Sequence, residues 1–174
     1  MELRSMRLIA STLIAATALA STVFPAGVRQ ESIQAAARTL SEFAGIPSNS
    51  DNKAGVARAA SWLQGRFAIL GFETRLLEGG GNPALFASRA GTPGGGTVLF
   101  YLHYDTQPTG SAQDWGATGG EPFAPRLLSG KYGNAGVRPL TVSELDGPAA
   151  ESARIYARGV ADDKAPIVMH LMAL

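Results

Sequence analysis

Residues 98–108 read VLFYLHYDTQP, a run that begins with five apolar or aromatic side chains and ends in polar ones. Residues 97–102 show no alternation of apolar and polar side chains, which is typical of a strand covered on both faces. His103 and Asp105 follow directly, and ligands of open α/β sheets gather at the carboxyl ends of strands. Residues two apart on an extended segment point the same way. The stretch therefore predicts a buried strand that ends in a polar terminator or in part of a metal site.

His103 has the side chain that a metal site at this position would need. A neutral imidazole is a common zinc ligand. A neighbouring carboxylate can accept the other ring N–H and fix the tautomer, and Asp105 is placed for this role. A histidine at a strand end is also a common polar terminator, so the pair alone leaves both interpretations open.

A second acidic pair, Asp162 and Asp163, precedes Lys164 and the last predicted helix. Acidic residues in a first helical turn interact favourably with the helix dipole. One interpretation is therefore ordinary capping by Asp162, with Lys164 as a solvated surface charge. The other is that Asp162 is directed at a cation, because carboxylate oxygens bridge two metal ions well. The residues alone leave both open.

The rest of the chain predicts a layered α/β domain with a mixed sheet. Periodicity and turn residues predict these elements: helices over 28–44, up to Leu70 and over the last ten residues, and strands over 72–78 and 84–89, with strand-like pieces at 126–128 and 152–156. Residues 106–153 are otherwise rich in proline and glycine, and loops of such length are functional or contain unrecognised elements. The last helix reaches Leu174 without a cap, so we expect the natural domain to continue.

The composition excludes several classes of function. The 174 residues are 45% hydrophobic and 17% charged, which is typical of a globular domain. There is no cysteine, so disulfides, thiolate zinc sites and cysteine nucleophiles are excluded. A formal net charge of +1 argues against nucleic acid as a partner.

The N-terminus has the pattern of a secretory signal peptide. Arg4 and Arg7 precede an apolar stretch over residues 8–20, and Ala18-Leu19-Ala20 fits a cleavage site. The stretch is shorter than the roughly 20 residues that span a membrane. We expect residues 1–20 to be removed and residues 21–174 to be periplasmic or secreted, with no stable membrane association. An N-terminal anchor or a first helix is the alternative.

Several ordered motifs resemble one enzyme family. They are LHYDTQP at 102–108, Trp115, PFAP at 122–125 and ARGVADDKAP at 157–166, with IPS at 46–48, WL at 62–63 and GF at 71–72 upstream. This order is similar to that of the dinuclear zinc peptidases that include carnosinases, carboxypeptidase G and succinyl-diaminopimelate desuccinylase. That family typically reads G-H-Y-D-V-Q-P, then W and P-F-x-P, then G-R-G-x-x-D-D-K-G. The resemblance covers about residues 30–174.

The resemblance implies a fold and a site. The fold would be the three-layer αβα catalytic domain of these peptidases (phosphorylase/hydrolase-like) with a mixed sheet, C-terminally incomplete here. His103 would bind one of two zinc ions, Asp162 would bridge both, and Asp105 would orient His103. Asp163 would shape the backbone beside the bridge, where the family often has a strained peptide bond. The motif positions Arg158 and Lys164 would have structural roles.

The sequence also departs from the family pattern. Leu102 and Ala165 replace two usual glycines, and residues 131–152 form an insert that puts loop shape and substrate reach in doubt. The family's Glu-Glu pair, which supplies the general base and a zinc ligand, does not occur in the sequence. The other histidine, His170, is predicted to lie on the last helix as a packing or surface residue rather than a ligand.

These observations predict the N-terminal portion of an exported zinc-dependent dipeptidase or carboxypeptidase-like amide hydrolase. Its substrate would be a peptide or an N-acyl amino acid, and the complete enzyme is expected to form a homodimer. The chain by itself is expected to be inactive and to bind zinc weakly at most. The alternatives are a non-catalytic exported binding protein on a truncated hydrolase fold and an acyl-amino-acid deacylase on the same fold.

Overall fold

A computed structural model of the chain describes residues 26–147 and 149–174, so the predicted signal peptide lies outside the described residues. The helices are α1 (Ala26–Ala44), α2 (Lys53–Ile69), α3 (Ala149–Ser152) and α4 (Ala165–Ala173), and the strands are β1 (Glu73–Leu77), β2 (Ala84–Ser88), β3 (Arg126–Leu128) and β4 (Arg154–Tyr156). Two 3-10 segments cover Ala112–Thr118 and Val142–Asp146, and a π-type turn covers Val160–Lys164. Within the described residues, no helix is long and apolar enough to cross a membrane.

The strands form two separate antiparallel pairs. β1 pairs with β2, with Arg75 opposite Phe86, and β3 pairs with β4, with Leu127 opposite Ile155. Helices and strands therefore combine as expected for the α/β class. The described strands differ from the single mixed sheet that the sequence predicted, because each finds only one partner. A single parallel bridge, between Asn49 and Thr106, lies outside these strands.

Three helices enclose the main apolar core. The core consists of these buried residues: Phe43 of α1, Val56, Ala59, Ala60 and Leu63 of α2, Ile167, Val168 and Leu171 of α4, and Tyr104. The Phe43 ring stacks on Trp62, with ring centroids 4.5 Å apart. The predicted helices are confirmed because apolar side chains recurring at helical spacing meet in this core.

α2 begins against the backbone of the preceding loop. Its N-cap is Asn52, whose Oδ1 accepts from the Gly55 N–H at 3.0 Å and whose Nδ2 donates to the Pro47 carbonyl at 2.8 Å. A Cβ on Gly55 would lie 1.7 Å from the Pro47 carbonyl oxygen, so only glycine allows the helix to approach this loop so closely.

Replacing Gly55 with alanine is expected to lower the free energy of unfolding by about 3 kcal/mol, the upper part of the usual range for overpacking, because rigid backbone must move. Gly65→Ala is the matched control in the same helix. A Cβ there meets nothing within 4 Å, so this change should stabilise by about 0.5–1 kcal/mol. Urea denaturation followed by tryptophan fluorescence measures both. Equal effects of the two substitutions would contradict the close approach at Pro47.

The prediction of a buried strand over residues 97–102 is wrong for the described structure. These residues form no regular strand, and Val98, Leu99 and Tyr101 are 75%, 82% and 91% exposed. An apolar run predicts burial, but burial also requires neighbouring strands and a second layer. The described residues place no strand beside this segment.

Candidate metal centre

The backbone after His103 is held by the loop that precedes α2. The Thr106 N–H donates to the Ser48 carbonyl at 2.9 Å, and the Ser50 N–H donates to the Thr106 carbonyl at 3.0 Å. The buried Ser48 hydroxyl also donates to the Tyr104 carbonyl at 2.8 Å. Ser48 therefore fixes the segment that carries the candidate ligand. Sequence analysis missed this role, although the IPS motif was its signal.

His103 lies between two carboxylates. Its Nδ1 is 3.0 Å from the Asp105 carbonyl oxygen and 3.2 Å from Asp105 Oδ1. Its Nε2 is 2.9 Å from Asp162 Oδ1, although the two residues are 59 positions apart in the chain. Tyr104, between His103 and Asp105, is buried in the core. His103 and Asp105 thus lie side by side, as predicted for residues two apart on an extended segment.

The electrostatics of this cluster favour a protonated imidazole when no cation is bound. Burial lowers the pKa of His103, but the hydrogen bonds with Asp162 and Asp105 outweigh it and raise the pKa above the usual 6.5. A protonated ring donates from both nitrogens, which matches an acceptor on each side. A cation placed between Nε2 and Asp162 would replace that proton.

The π-type turn places Asp162 opposite His103. The turn follows Gly159, whose φ of 79° lies in the left-handed region, and the Lys164 N–H closes it by donating to the Gly159 carbonyl at 2.9 Å. The peptide bond between Asp162 and Asp163 is cis. Asp163 Oδ2 accepts from the His103 backbone N–H at 3.3 Å. Asp163 therefore joins the two motif segments through the backbone.

Lys164 is fully buried, so its interpretation as a solvated surface charge is wrong. Its Nζ donates to the carbonyls of Phe43 and Ile46 at 3.0 and 2.7 Å. The ammonium also lies 5.1 Å from the centre of the Phe43 ring. Burial lowers the pKa of Lys164 to about 8. Lys164 has the structural role predicted for it, fastening the turn to the end of α1.

Arg158 joins three of the motif pieces. Its Nη2 donates to the Pro108 carbonyl at 2.8 Å, and its guanidinium lies 4.8 Å from the centre of the Trp115 ring. Its backbone N–H donates to the Pro122 carbonyl at 2.7 Å. The structural role predicted for Arg158 is confirmed. Gly159, beside it, was not singled out, yet a Cβ there would lie 2.4 Å from Thr106 Cγ2.

His170 lies on α4, as predicted, and packs there. Its Nδ1 is 2.8 Å from the Pro166 carbonyl oxygen of the preceding turn. Its ring meets Phe100 edge to face, with centroids 4.6 Å apart.

His103 Nε2 and Asp162 Oδ1 are close enough to be two ligands of one ion. Zinc bonds of about 2.0–2.2 Å in a tetrahedral arrangement put ligand atoms roughly 3–3.5 Å apart, near the 2.9 Å seen here. Asp105 occupies the outer position that a zinc-binding histidine usually requires. Among residues 26–147 and 149–174, no group of three or more His, Asp or Glu side chains could hold a metal ion. The donor set thus fits part of a zinc site.

Comparisons with protein-family models, curated proteins and solved structures found no match to this chain. The function must therefore be argued from the motif residues and their geometry.

Proposed function

We propose that the chain is the N-terminal portion of an exported, zinc-dependent amide hydrolase of the dipeptidase or carboxypeptidase type, with the three-layer αβα catalytic fold and a site for two zinc ions. One observation carries the proposal. His103 Nε2 and Asp162 Oδ1 approach to 2.9 Å, and these are the positions that the peptidase motifs assign to a zinc ligand and to the bridging carboxylate.

Each residue of the cluster has a role in this proposal. His103 would hold one zinc ion through Nε2, while Asp105 would accept the Nδ1 proton and so fix the tautomer. Asp162 would be the carboxylate shared by the two ions. Asp163 and Lys164 hold the turn, and Arg158 holds the loop. Zinc in such a site lowers the pKa of water and polarises the amide carbonyl.

The general base is a separate requirement. Amide hydrolysis by this route needs a group that takes a proton from the attacking water. The family uses a glutamate of its Glu-Glu pair, which this sequence lacks. We therefore propose that the 174 residues alone do not hydrolyse amides. The substrate is a peptide or N-acyl amino acid, the protein acts in the periplasm or outside the cell, and the complete enzyme forms a homodimer.

The proposal is tested on the complete gene product by its zinc content and its hydrolysis of dipeptides and N-acyl amino acids. We expect two zinc ions per chain and hydrolysis that a chelator abolishes. His103→Ala and Asp162→Ala should each lower kcat/KM by at least about 1,000-fold, since both remove direct zinc ligands. His170→Gln is the control and should retain activity. A metal-free, active product would contradict the proposal, as would chelator-sensitive hydrolysis by residues 21–174 alone.

A non-catalytic exported binding protein is the second candidate. It is favoured by the lack of a Glu-Glu pair in the sequence, since that pair supplies the general base. The DNA after the codon for Leu174 separates the two candidates. An open frame that reaches a Glu-Glu motif favours the hydrolase, whereas a stop codon there favours the binding protein. Substrate profiling separates a peptidase from an acyl-amino-acid deacylase.

A further inference from the structure

A cavity of about 430 Å³ lies beside the turn that carries Asp162. It is open on one side, and its walls include Trp115, Tyr132 and Tyr156 together with Val160 and Ala161 of the turn. The volume is within the range of roughly 300–1,000 Å³ that is typical of small-molecule sites. Ala161, which lines the cavity, directly precedes Asp162 in the chain, so the cavity adjoins the turn that carries the candidate bridging carboxylate.

The aromatic walls are held in place by hydrogen bonds. Trp115 Nε1 donates to the Thr109 carbonyl at 2.7 Å. The Tyr132 backbone N–H donates to the Tyr156 hydroxyl at 2.9 Å, and the two tyrosine rings lie 6.4 Å apart at 63°. A Cβ on Gly116 would come within 2.7 Å of the Tyr132 hydroxyl, which shows that this hydroxyl lies against the Gly116 backbone. The insert at 131–152 thus supplies one wall of a cavity whose other walls belong to the motif segments.

The chemistry of the walls favours a neutral aromatic ligand. Aromatic rings pack offset or edge to face, and such pairs contribute about 0.5–1.5 kcal/mol beyond the burial of apolar area. A cationic ligand is disfavoured because the Arg158 guanidinium already stacks on Trp115. The Asp114 carboxylate also lines the cavity, but it accepts from the Ser111 backbone N–H at 3.2 Å.

We propose that this cavity binds an aromatic side chain of the substrate and that Tyr132, from the insert, sets this preference. The inference rests on the proposed function, since it takes the ligand to be a peptide or N-acyl amino acid. With the aromatic side chain in the cavity, the amide of such a substrate would extend past Ala161 towards Asp162. Tyr132 is 51% exposed, so its replacement should change binding without unfolding the protein.

The test is binding of N-acetyl-L-phenylalaninamide to the full chain. Binding is measured by ligand-detected NMR and by tryptophan fluorescence, in the presence of a chelator. N-acetyl-L-leucinamide and N-acetyl-L-argininamide are the comparison ligands. We expect the phenylalanine derivative to bind at least about 3-fold more tightly than either, and Tyr132→Leu to weaken its binding by about 3- to 10-fold, as loss of an aromatic pair would. Tyr132→Phe should bind like the wild type. Tyr101→Leu, an exposed tyrosine outside the cavity, is the matched control.

Two results would overturn the proposal: preference for the leucine or arginine derivative, or an unchanged affinity in Tyr132→Leu. Because the binding is measured without zinc, it is independent of the catalytic proposal. If zinc binding does not depend on His103 and Asp162 but the aromatic ligand still binds, only the proposed function is refuted. Zinc binding at those residues without aromatic binding would refute the cavity alone.

Discussion

Replacement of Lys164 by alanine is expected to lower the free energy of unfolding by about 3–5 kcal/mol. The change leaves a cavity where the buried alkyl stem was, which costs about 2–5 kcal/mol for side chains of this size. It also removes two charge-assisted hydrogen bonds to the carbonyls of Phe43 and Ile46, and part of that loss is offset because a buried charge disappears. Urea denaturation at pH 7 measures the change.

Lys164→Met is the matched control, since it keeps the length and most of the volume of the stem. The two carbonyls are not left unpaired in this variant, because each also accepts a backbone N–H, from Ile46 and from Ser48. We therefore expect the free energy of unfolding of the methionine variant to be at least about 1–2 kcal/mol higher than that of the alanine variant. This difference is the scale of the cost of the cavity. Equal stability of the alanine variant and the wild type would contradict the burial of Lys164.

The lowered pKa of Lys164 also gives a direction for the pH dependence. Between the lowered pKa of about 8 and the usual lysine pKa of 10.5, the unfolded chain holds the lysine proton and the folded chain does not. Stability therefore rises with pH across this window, by up to roughly 1.4 kcal/mol per pH unit. Below pH 8 both states are protonated and this contribution does not vary. Between pH 8 and 10, the free energy of unfolding of the wild type should therefore rise relative to that of Lys164→Met.

Local patterns predicted α1, α2, α4 and the strands β1 and β2, because each is decided by neighbouring residues. The apolar stripe that includes Val56 and Leu63 identified α2, and Gly71 at φ 78° ends it as expected of a left-handed cap. β2 alternates between exposed and half-buried residues, and a glycine-rich turn joins it to β1. The burial of Lys164 could not be predicted in this way, since it depends on the carbonyls of Phe43 and Ile46, more than a hundred residues away.

Residues 97–102 show the opposite case, in which a strong local pattern was misleading. Their apolar, β-branched and aromatic side chains favour a strand, but a strand is stabilised by its neighbours. The described residues supply none. The segment finds backbone partners only at Tyr104 and Thr106, which hydrogen-bond with Ser48 and Ser50. The placement of His103 beside Asp105 was therefore easier to predict than the burial of residues 97–102.

The pairing of His103 with Asp162 was predictable only from the resemblance. Spacing alone placed His103 next to Asp105, since residues two apart on an extended segment face the same way. Nothing local relates either residue to a carboxylate 59 positions later. The turn after Gly159 and the buried Lys164 bring that carboxylate into place. Gly159 and Lys164 can be recognised in the sequence as motif positions, but their contacts cannot.

Zinc binding by the chain is expected to depend on His103 and Asp162 and to weaken as the pH falls. The raised pKa of His103 reflects its hydrogen bonds to Asp162 and Asp105, and zinc must displace the proton that these bonds favour. Below that raised pKa, the apparent affinity should fall by about tenfold per pH unit, and binding should release a proton. Competition with a chromophoric zinc chelator between pH 5.5 and 8 measures this.

Substitutions separate this site from adventitious binding to the other histidine. His103→Ala and Asp162→Ala should each weaken zinc binding at least tenfold, since loss of an outer partner alone costs about 10–100-fold. Asp105→Asn tests that outer position, because an amide still accepts the Nδ1 proton but lacks the charge that raises ligand basicity. His170→Gln should leave the affinity unchanged, since His170 packs against Phe100 on α4. An equal loss in His170→Gln and His103→Ala would place the metal elsewhere and remove the main support for the hydrolase.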